Sequence, residues 1–136
     1  MNNDFPQSET DRLVSSMLMF GTVEAVDYVN AMVRVRSGDW VSAWLPWMSL
    51  AAGEVRHWRP PSIGEQVIIL SPSGRLEQAG VIPGFYTTQH AAHSNDDKTV
   101  LWELPAGFSF IIRVGASTFT MTNEGVTIDA PRIDLN

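Results

Sequence analysis

The stretch GEQVIILSP, residues 64 to 72, carries the clearest β-strand signal in the chain. Four consecutive apolar residues lie between a glycine that favours a turn and a serine-proline pair that ends the pattern, and a run of this length is typical of a buried strand. Further short apolar or alternating runs surround it within residues 21 to 86, separated by turn residues. About five such strands predict a small all-β barrel of the OB type over residues 21 to 86.

Local signals add detail to this barrel. The segment DYVNA predicts a hairpin turn in which Asn30 takes a left-handed conformation. Gly80 is a predicted β-bulge, and Pro83 with Gly84 is the predicted end of the last strand. Pro46 should bend its strand or end its pairing. These residues define where the barrel strands turn and stop.

The residues before the barrel predict a short N-terminal helical segment, within residues 1 to 20. Ser8 can cap a helix, and the spacing of Leu13, Met17 and Phe20 fits one helical face. That face would either fold onto the barrel or dock on a partner protein.

Composition excludes several functions. With nine basic and fifteen acidic residues the net charge is -6, which repels the phosphates of nucleic acids and anionic lipids. The chain has no cysteine, and it shows no Ser-His-Asp order, no catalytic carboxylate pair and no phosphate loop, so neither catalysis nor a cofactor is predicted. His90 and His93 could bind a metal ion if their segment were helical, but Asp96 or Asp97 is the sole candidate for a third ligand, so no metal site is predicted. The N-terminal residues do not form a signal peptide, which predicts synthesis in the cytoplasm.

A different pattern begins after the polar stretch 87 to 99, which is predicted to be a linker. Within residues 100 to 136, apolar and polar residues alternate in short runs, which predicts β-strands that form a sheet with one apolar face. The predicted apolar face consists of Phe108, Phe110, Ile112, Val114, Phe119, Met121, Val126, Ile128, Ile133 and Leu135. Threonines are frequent at the alternate positions, as expected for a solvated strand surface.

This sheet has too few strands to close a barrel, and its edges would stay open. One solution is that three copies wrap around a common axis, with strands passing between chains and the apolar faces directed inward. The sequence therefore predicts a homotrimer. The alternative is an ordinary β-meander packed against its own barrel.

Three of the five tryptophans of the chain, Trp44, Trp47 and Trp58, lie close together in the sequence. The favoured interpretation is that they pack the barrel and its subunit contacts. A stacking surface for single-stranded nucleic acid or a platform for sugars is the alternative, because Arg56 and Arg59 flank Trp58, but the net charge opposes nucleic acid.

Taken together, WLPWMSLAAGEVRHWRPPSIGEQVIILSPSG and the later GVIPGFY resemble the phage baseplate assembly protein V family, the central spike of P2-like contractile tails and R-type pyocins. The resemblance covers about half the chain. The barrel residues that carry it are Trp44, Leu45, Trp47, Gly53, Trp58, Pro61, Gly64, Glu65, Val67, Pro83, Gly84 and Tyr86.

The resemblance implies a trimeric spike of the virion's tail baseplate, with an OB-fold collar and an intertwined C-terminal triple-stranded β-helix. Such a spike attaches to a tail hub protein, for which Leu13, Met17 and Phe20 are the candidate contacts, and it touches the host envelope only transiently. Longer family members end in a metal-bound His-x-His apex, whereas this sequence stops at RIDLN, which suggests a truncated chain or a separate tip protein. The competing hypothesis is a monomeric OB-fold module that binds oligosaccharide or single-stranded nucleic acid.

Overall fold

The computed structural model describes residues 4–136, which form two compact units. The first unit ends at His93 and the second covers Ser94–Asn136, so the boundary lies inside the polar stretch 87 to 99. No helix among the described residues is long and apolar enough to cross a membrane.

The first unit combines one helix with a mostly antiparallel β-sheet. Its elements are α1 (Asp4–Ser15), β1 (Leu18–Asp27), β2 (Met32–Ser37), β3 (Trp40–Val41), β4 (Leu45–Pro46), β5 (Gln66–Leu70) and β6 (Gly80–Phe85). Two short 3₁₀ turns, Pro72–Gly74 and Leu76–Gln78, connect β5 to β6. This is an OB-like β domain with one short helix.

The sheet closes into a small barrel because the two ends of its strand order meet. The order is β3-β2-β1-β5-β6, with β4 also paired to β2. Just after β4, Trp47 forms a bridge to Val81 of β6, and the N–H of Met48 donates to the Val81 carbonyl oxygen at 2.8 Å. The long strand β1 pairs with β5 through its first half and with β2 through its second.

Aliphatic side chains fill the barrel interior. They come from alternate positions of β1, β2 and β5 and from β4 and β6, as period-two alternation requires. The buried apolar residues are Val23, Val33, Val35, Leu45, Val67, Ile69, Ala79 and Val81. Met19, Val26, Trp40 and Trp47 pack against them from partly buried positions.

The N-terminal helix lies earlier in the chain than the sequence spacing suggested. It begins at Asp4, so the predicted cap Ser8 lies inside the helix. It ends at Ser15, and the hydroxyls of Ser15 and Ser16 donate to the Arg12 carbonyl oxygen, each at 2.9 Å. Strand β1 begins at Leu18, because pairing with β5 satisfies the backbone of this segment. The predicted helical face of Leu13, Met17 and Phe20 is therefore wrong, since Met17 follows the helix and Phe20 is a strand residue.

The β1–β2 turn differs from its prediction in one residue. Ala31, with φ of +54°, takes the left-handed conformation that was expected for Asn30. Asn30 instead donates its side-chain N–H to Asp27 Oδ2 at 2.9 Å, while Asp27 Oδ1 accepts the backbone N–H groups of Val29 and Asn30. These hydrogen bonds, chiefly those from Asn30, hold the pKa of Asp27 below its usual value.

The bulge in the last barrel strand is at Gly84, not at the predicted Gly80. Gln66 and its neighbour on β5 pair with Phe85 and Pro83, so Gly84 is the extra residue, and its φ of +104° explains the glycine. Gly80 is regularly paired. The predicted stop at Pro83 and Gly84 is also wrong, because the bulge lets β6 continue to Phe85.

A buried serine between β3 and β4 yields a first testable prediction. Ser42 Oγ accepts the Val35 N–H at 2.9 Å and donates to the Ala43 carbonyl oxygen at 2.7 Å. Ser42→Ala leaves both groups without this partner, so we expect a loss of about 1–3 kcal/mol in unfolding free energy, measured by urea denaturation. The exposed Ser62→Ala is the control, and equal losses in the two variants would contradict the assignment.

The second unit contains three antiparallel strands in sequence order. They are β7 (Phe110–Val114), β8 (Ser117–Thr122) and β9 (Gly125–Asp129). Each connection is a two-residue hairpin turn, because Val114 pairs with Ser117 and Thr122 pairs with Gly125. Gly115 in the first turn has φ of +55°, the conformation that such tight hairpins require.

Candidate assembly surfaces

One face of the C-terminal sheet is apolar except for Ser117, which lies opposite Val114 at its margin; we call it the apolar sheet face. Residues directly opposite each other on neighbouring strands point to the same side. The register aligns Phe110 with Met121 and Val126 in one row, and Ile112 with Phe119 and Ile128 in the next. With Val114, the apolar sheet face comprises Phe110, Ile112, Val114, Phe119, Met121, Val126 and Ile128.

The apolar sheet face is open in the single chain. Six of its seven side chains are exposed, from 37% at Phe110 to 77% at Val114, and Phe119 is partly buried. A contiguous apolar surface of this kind is typical of an interaction site. Full burial of seven such side chains represents a gross gain of roughly 10–20 kcal/mol per chain, as an upper estimate.

The opposite face of the same sheet is mostly polar. It carries Arg113, Thr118 and Asp129 in one row, and Thr120 and Thr127 beside Ile111 in another. The sheet thus has one polar and one apolar face, the pattern of antiparallel sheets that are solvated on one side and packed on the other.

The apolar surface extends into the segment before β7. Leu101, Trp102, Leu104 and Phe108 line an open hollow of about 460 Å³ together with Phe110 and Met121. Three predicted members of the apolar face, Phe108, Ile133 and Leu135, lie outside the strands and are exposed.

The end of the predicted linker has local order. The carboxylate of Asp96 accepts the Lys98 N–H at 2.9 Å and the Thr99 hydroxyl at 2.7 Å. Both hydrogen bonds keep the pKa of Asp96 below its usual value, the backbone bond contributing most.

The barrel residues quoted for the resemblance have three kinds of environment. Leu45, Pro61 and Val67 are buried, the first and last in the core. Pro83 and Gly84 form part of β6. Gly53, Tyr86, Trp44 and Trp58 are exposed, whereas Trp47, Gly64 and Glu65 are half-buried.

The tryptophans lie at the barrel surface rather than inside it. Trp47 packs partly on the core, and its ring lies 5.4 Å from that of Trp58, which is 59% exposed. Trp44 is 40% exposed, with the Arg34 guanidinium 4.9 Å from its ring centre. Of the three, Trp47 alone packs against the core, because smaller aliphatic side chains already fill the interior. Subunit contacts of Trp44 and Trp58, the other part of the prediction, stay a prediction.

An ion pair fixes the segment between Trp58 and β5. Glu65 Oε1 accepts Arg59 Nη1 at 2.6 Å and the Ser62 N–H at 3.0 Å, and the Glu65 side chain is only 12% exposed. The neighbouring Gly64 has φ of +86°, and a Cβ there would come within 3.1 Å of the Gln89 side chain. The role of these two residues is thus to hold the loop in place.

A second apolar surface, absent from the sequence-based predictions, lies on the outside of β1, β5 and β6; we call it the outer barrel face. Leu18 pairs with Leu70, and Phe20 pairs with Ile68, which pairs in turn with Ile82. The rings of Phe20 and Phe85 meet edge to face with centroids 5.5 Å apart. Its members are Leu18, Phe20, Ile68, Leu70, Ile82 and Phe85.

The described residues offer little for catalysis or metal binding. Ser49 Oγ lies 3.1 Å from His57 Nδ1, but this hydroxyl donates to the His57 carbonyl oxygen at 2.6 Å, and the contact braces the loop. Within residues 4–136 as described, no group of three or more His, Asp or Glu side chains could hold a metal ion, and this includes the surroundings of His90 and His93.

An OB-type barrel joined to a β-sheet unit with an uncovered apolar face defines a protein that acts by assembly with other chains. The profile of the Type VI secretion system/phage-baseplate injector OB domain matches residues 19–86, half of the chain. The chain belongs to this family, which confirms the resemblance drawn from its sequence.

One relative extends the similarity beyond the barrel. The chain is 31% identical to the Spike protein of Escherichia phage P2 over 118 residues, which are 87% of this chain and 55% of that protein. The chain thus spans about half the length of this curated relative.

Proposed function

We propose that this chain is a non-enzymatic structural component of a contractile phage tail baseplate, where three copies form the central spike. Membership of the baseplate-injector family and similarity to a protein named Spike protein support this role. The observation that carries the trimer is the apolar sheet face, whose seven side chains are in register and uncovered in the single chain.

The proposed assembly places three C-terminal sheets around one axis. The apolar faces point inward, the threonine-rich faces point outward, and the free edge of β7 pairs with β9 of a neighbouring copy. The strands pair as a meander within each chain, so the β-helix would be built from three such sheets joined at their edges. This arrangement removes open edges, which otherwise invite aggregation.

The proposed role is mechanical. A trimeric prism resists unfolding because local opening must break pairing between chains, and the barrels form a collar that transmits load from the tail hub. The spike would be assembled in the bacterial cytoplasm, carried in the virion, and driven against the cell envelope. No bound metal or cofactor is required for this action.

The exposed tryptophans favour a second candidate, a monomeric module that binds oligosaccharide or single-stranded nucleic acid. Trp44 with Arg34 above it and the exposed Trp58 are groups that such modules use for stacking. Arg59, however, is committed to Glu65, and the net charge of -6 opposes a nucleic-acid ligand.

The oligomeric state separates the two candidates. Sedimentation equilibrium of the purified chain at micromolar concentration should give three times the chain mass of 15.1 kDa, because the apolar sheet face has to be covered. A mass of 15.1 kDa that persists at these concentrations would overturn the spike proposal.

A further inference from the structure

We propose that the outer barrel face is a second interface, at which the barrel of one copy packs on the barrel of a neighbouring copy in the trimer. This inference rests on the proposed function, since it takes the C-terminal sheets to hold the three copies together. It concerns a different surface, however, and can fail while the trimer stands.

The composition of the outer barrel face points to a protein partner. Leu18, Phe20 and Leu70 are exposed by 63%, 56% and 44%, and no charged residue occurs among the outward positions of β1, β5 and β6 in these rows. The row at its margin contains Thr22 and Gln66. Arg36 of β2 lies opposite Thr22 in this margin row, but its guanidinium is paired with Glu24 at 2.7 Å. The cation at the margin is thus neutralised, and an apolar protein surface is the matching partner.

The size of the face favours a sister copy over a separate protein. Six partly buried apolar side chains expose on the order of 400 Å². A stable interface needs about 800 Å² from each partner. The face is therefore too small to retain a freely diffusing protein by itself.

Covalent connection to the C-terminal unit lets a contact of this small area form between barrels. Residues 87 to 99 reach at most about 45 Å when fully extended, so barrels whose C-terminal sheets are joined stay close together. Such tethering raises the effective concentration to about the millimolar range, at which a small apolar contact forms.

Symmetry identifies the complementary surface. Contacts in a three-membered ring are heterologous, so each copy presents two different patches. One patch contacts the first neighbour, and the other patch, on an adjacent side of the barrel, contacts the second neighbour. Met48 and Trp58 offer such a patch, since both are more than half exposed. The Met48 N–H donates to the Val81 carbonyl oxygen of β6, and the Trp58 ring lies tilted by 56° against that of Trp47. We assign this patch as the surface that receives the outer barrel face.

Photo-crosslinking in isotopically mixed trimers tests the assignment. The chain has no cysteine, so Thr22→Cys at the margin of the face can carry a single benzophenone-maleimide. Copies of normal and heavy isotopic composition are unfolded together, reassembled and irradiated. We expect cross-linked peptides that join position 22 of one isotope to residues 48–58 of the other. The matched control is Thr120→Cys, on the polar face of the C-terminal sheet.

Each outcome of the cross-linking experiment either supports or overturns the proposed barrel interface. Mixed-isotope cross-links to residues 48–58 support the proposal. Trimers in which the probe at position 22 yields no cross-links, or only cross-links within one chain, overturn it and leave the spike proposal intact. A monomeric mass overturns both.

A variant of the face provides a second, independent readout. Phe20→Glu in the Thr22→Cys background should lower the yield of mixed-isotope cross-links at least tenfold, because it places a carboxylate in the contact. Phe20 is already exposed, so circular dichroism should show an intact barrel. Tyr28→Glu, in the exposed β1–β2 turn, is the matched control. An unchanged yield in Phe20→Glu would overturn the proposal.

Discussion

Replacement of Phe119 by aspartate is expected to convert the assembled protein into single chains. Phe119 lies in the middle strand of the C-terminal sheet, between Ile112 on β7 and Ile128 on β9. In the proposed prism its three copies converge near the axis, so Phe119→Asp would bury three carboxylates without cations. The effective cost is several kcal/mol for each buried ion, which exceeds what the remaining contacts can offset.

Sedimentation equilibrium measures this effect directly, as a fall from three times 15.1 kDa to the mass of one chain. The matched control is Thr120→Asp, because the adjacent residue of the same strand points to the polar face. The control should keep the trimer mass. If both variants remain trimeric, the apolar sheet face does not form the trimer contact.

The C-terminal sheet could be predicted from sequence because neighbouring residues alone determine its strands and turns. Period-two alternation assigns residues to faces without knowledge of any distant partner, and the two-residue turns after Val114 and Thr122 fix the register that aligns the rows. The sequence pattern does not identify the protein surface that covers the apolar sheet face, because that surface lies on another chain. The trimer was therefore proposed because so large an apolar surface is unfavourable in water.

The N-terminal segment shows where local reasoning fails. Leu13, Met17 and Phe20 have helical spacing, yet Phe20 lies opposite Ile68 in a strand. The partner strand is almost fifty residues away in sequence, and its backbone hydrogen bonds outweigh a weak helical preference. The helix therefore ends at Ser15, earlier than its apolar spacing suggested.

The outer barrel face was missed for a related reason. The run VIIL in β5 must place apolar residues on both sides of the sheet, which indicates a second apolar surface on the outside of the barrel. The strand register decides which residues belong to the outer barrel face. The bulge at Gly84 shifts Phe85 to the same side as Phe20, and their rings then meet. A glycine-dependent bulge of this kind could not be located from sequence, where Gly80 was the stronger candidate.

A methyl group added at Gly21 is expected to destabilise the barrel strongly. Gly21 is buried where β1 crosses from β5 to β2, and a Cβ there would lie 2.5 Å from Val35 Cγ1 and 2.8 Å from the backbone oxygen of Arg36. A backbone oxygen cannot rotate away, so Gly21→Ala must separate β1 from β2. We expect a loss of about 2–3 kcal/mol in unfolding free energy.

For a unit of this size, such a loss lowers the unfolding temperature by about 10–20 °C, measurable through tryptophan fluorescence during heating. The control is Gly53→Ala, where a Cβ meets no atom within 4 Å and φ is not in the left-handed range. Its unfolding temperature should stay close to that of the parent chain, with a change of about 0.5 kcal/mol at most. Equal melting of Gly21→Ala and the parent would mean that β1 and β2 are not packed as closely as the strand register requires.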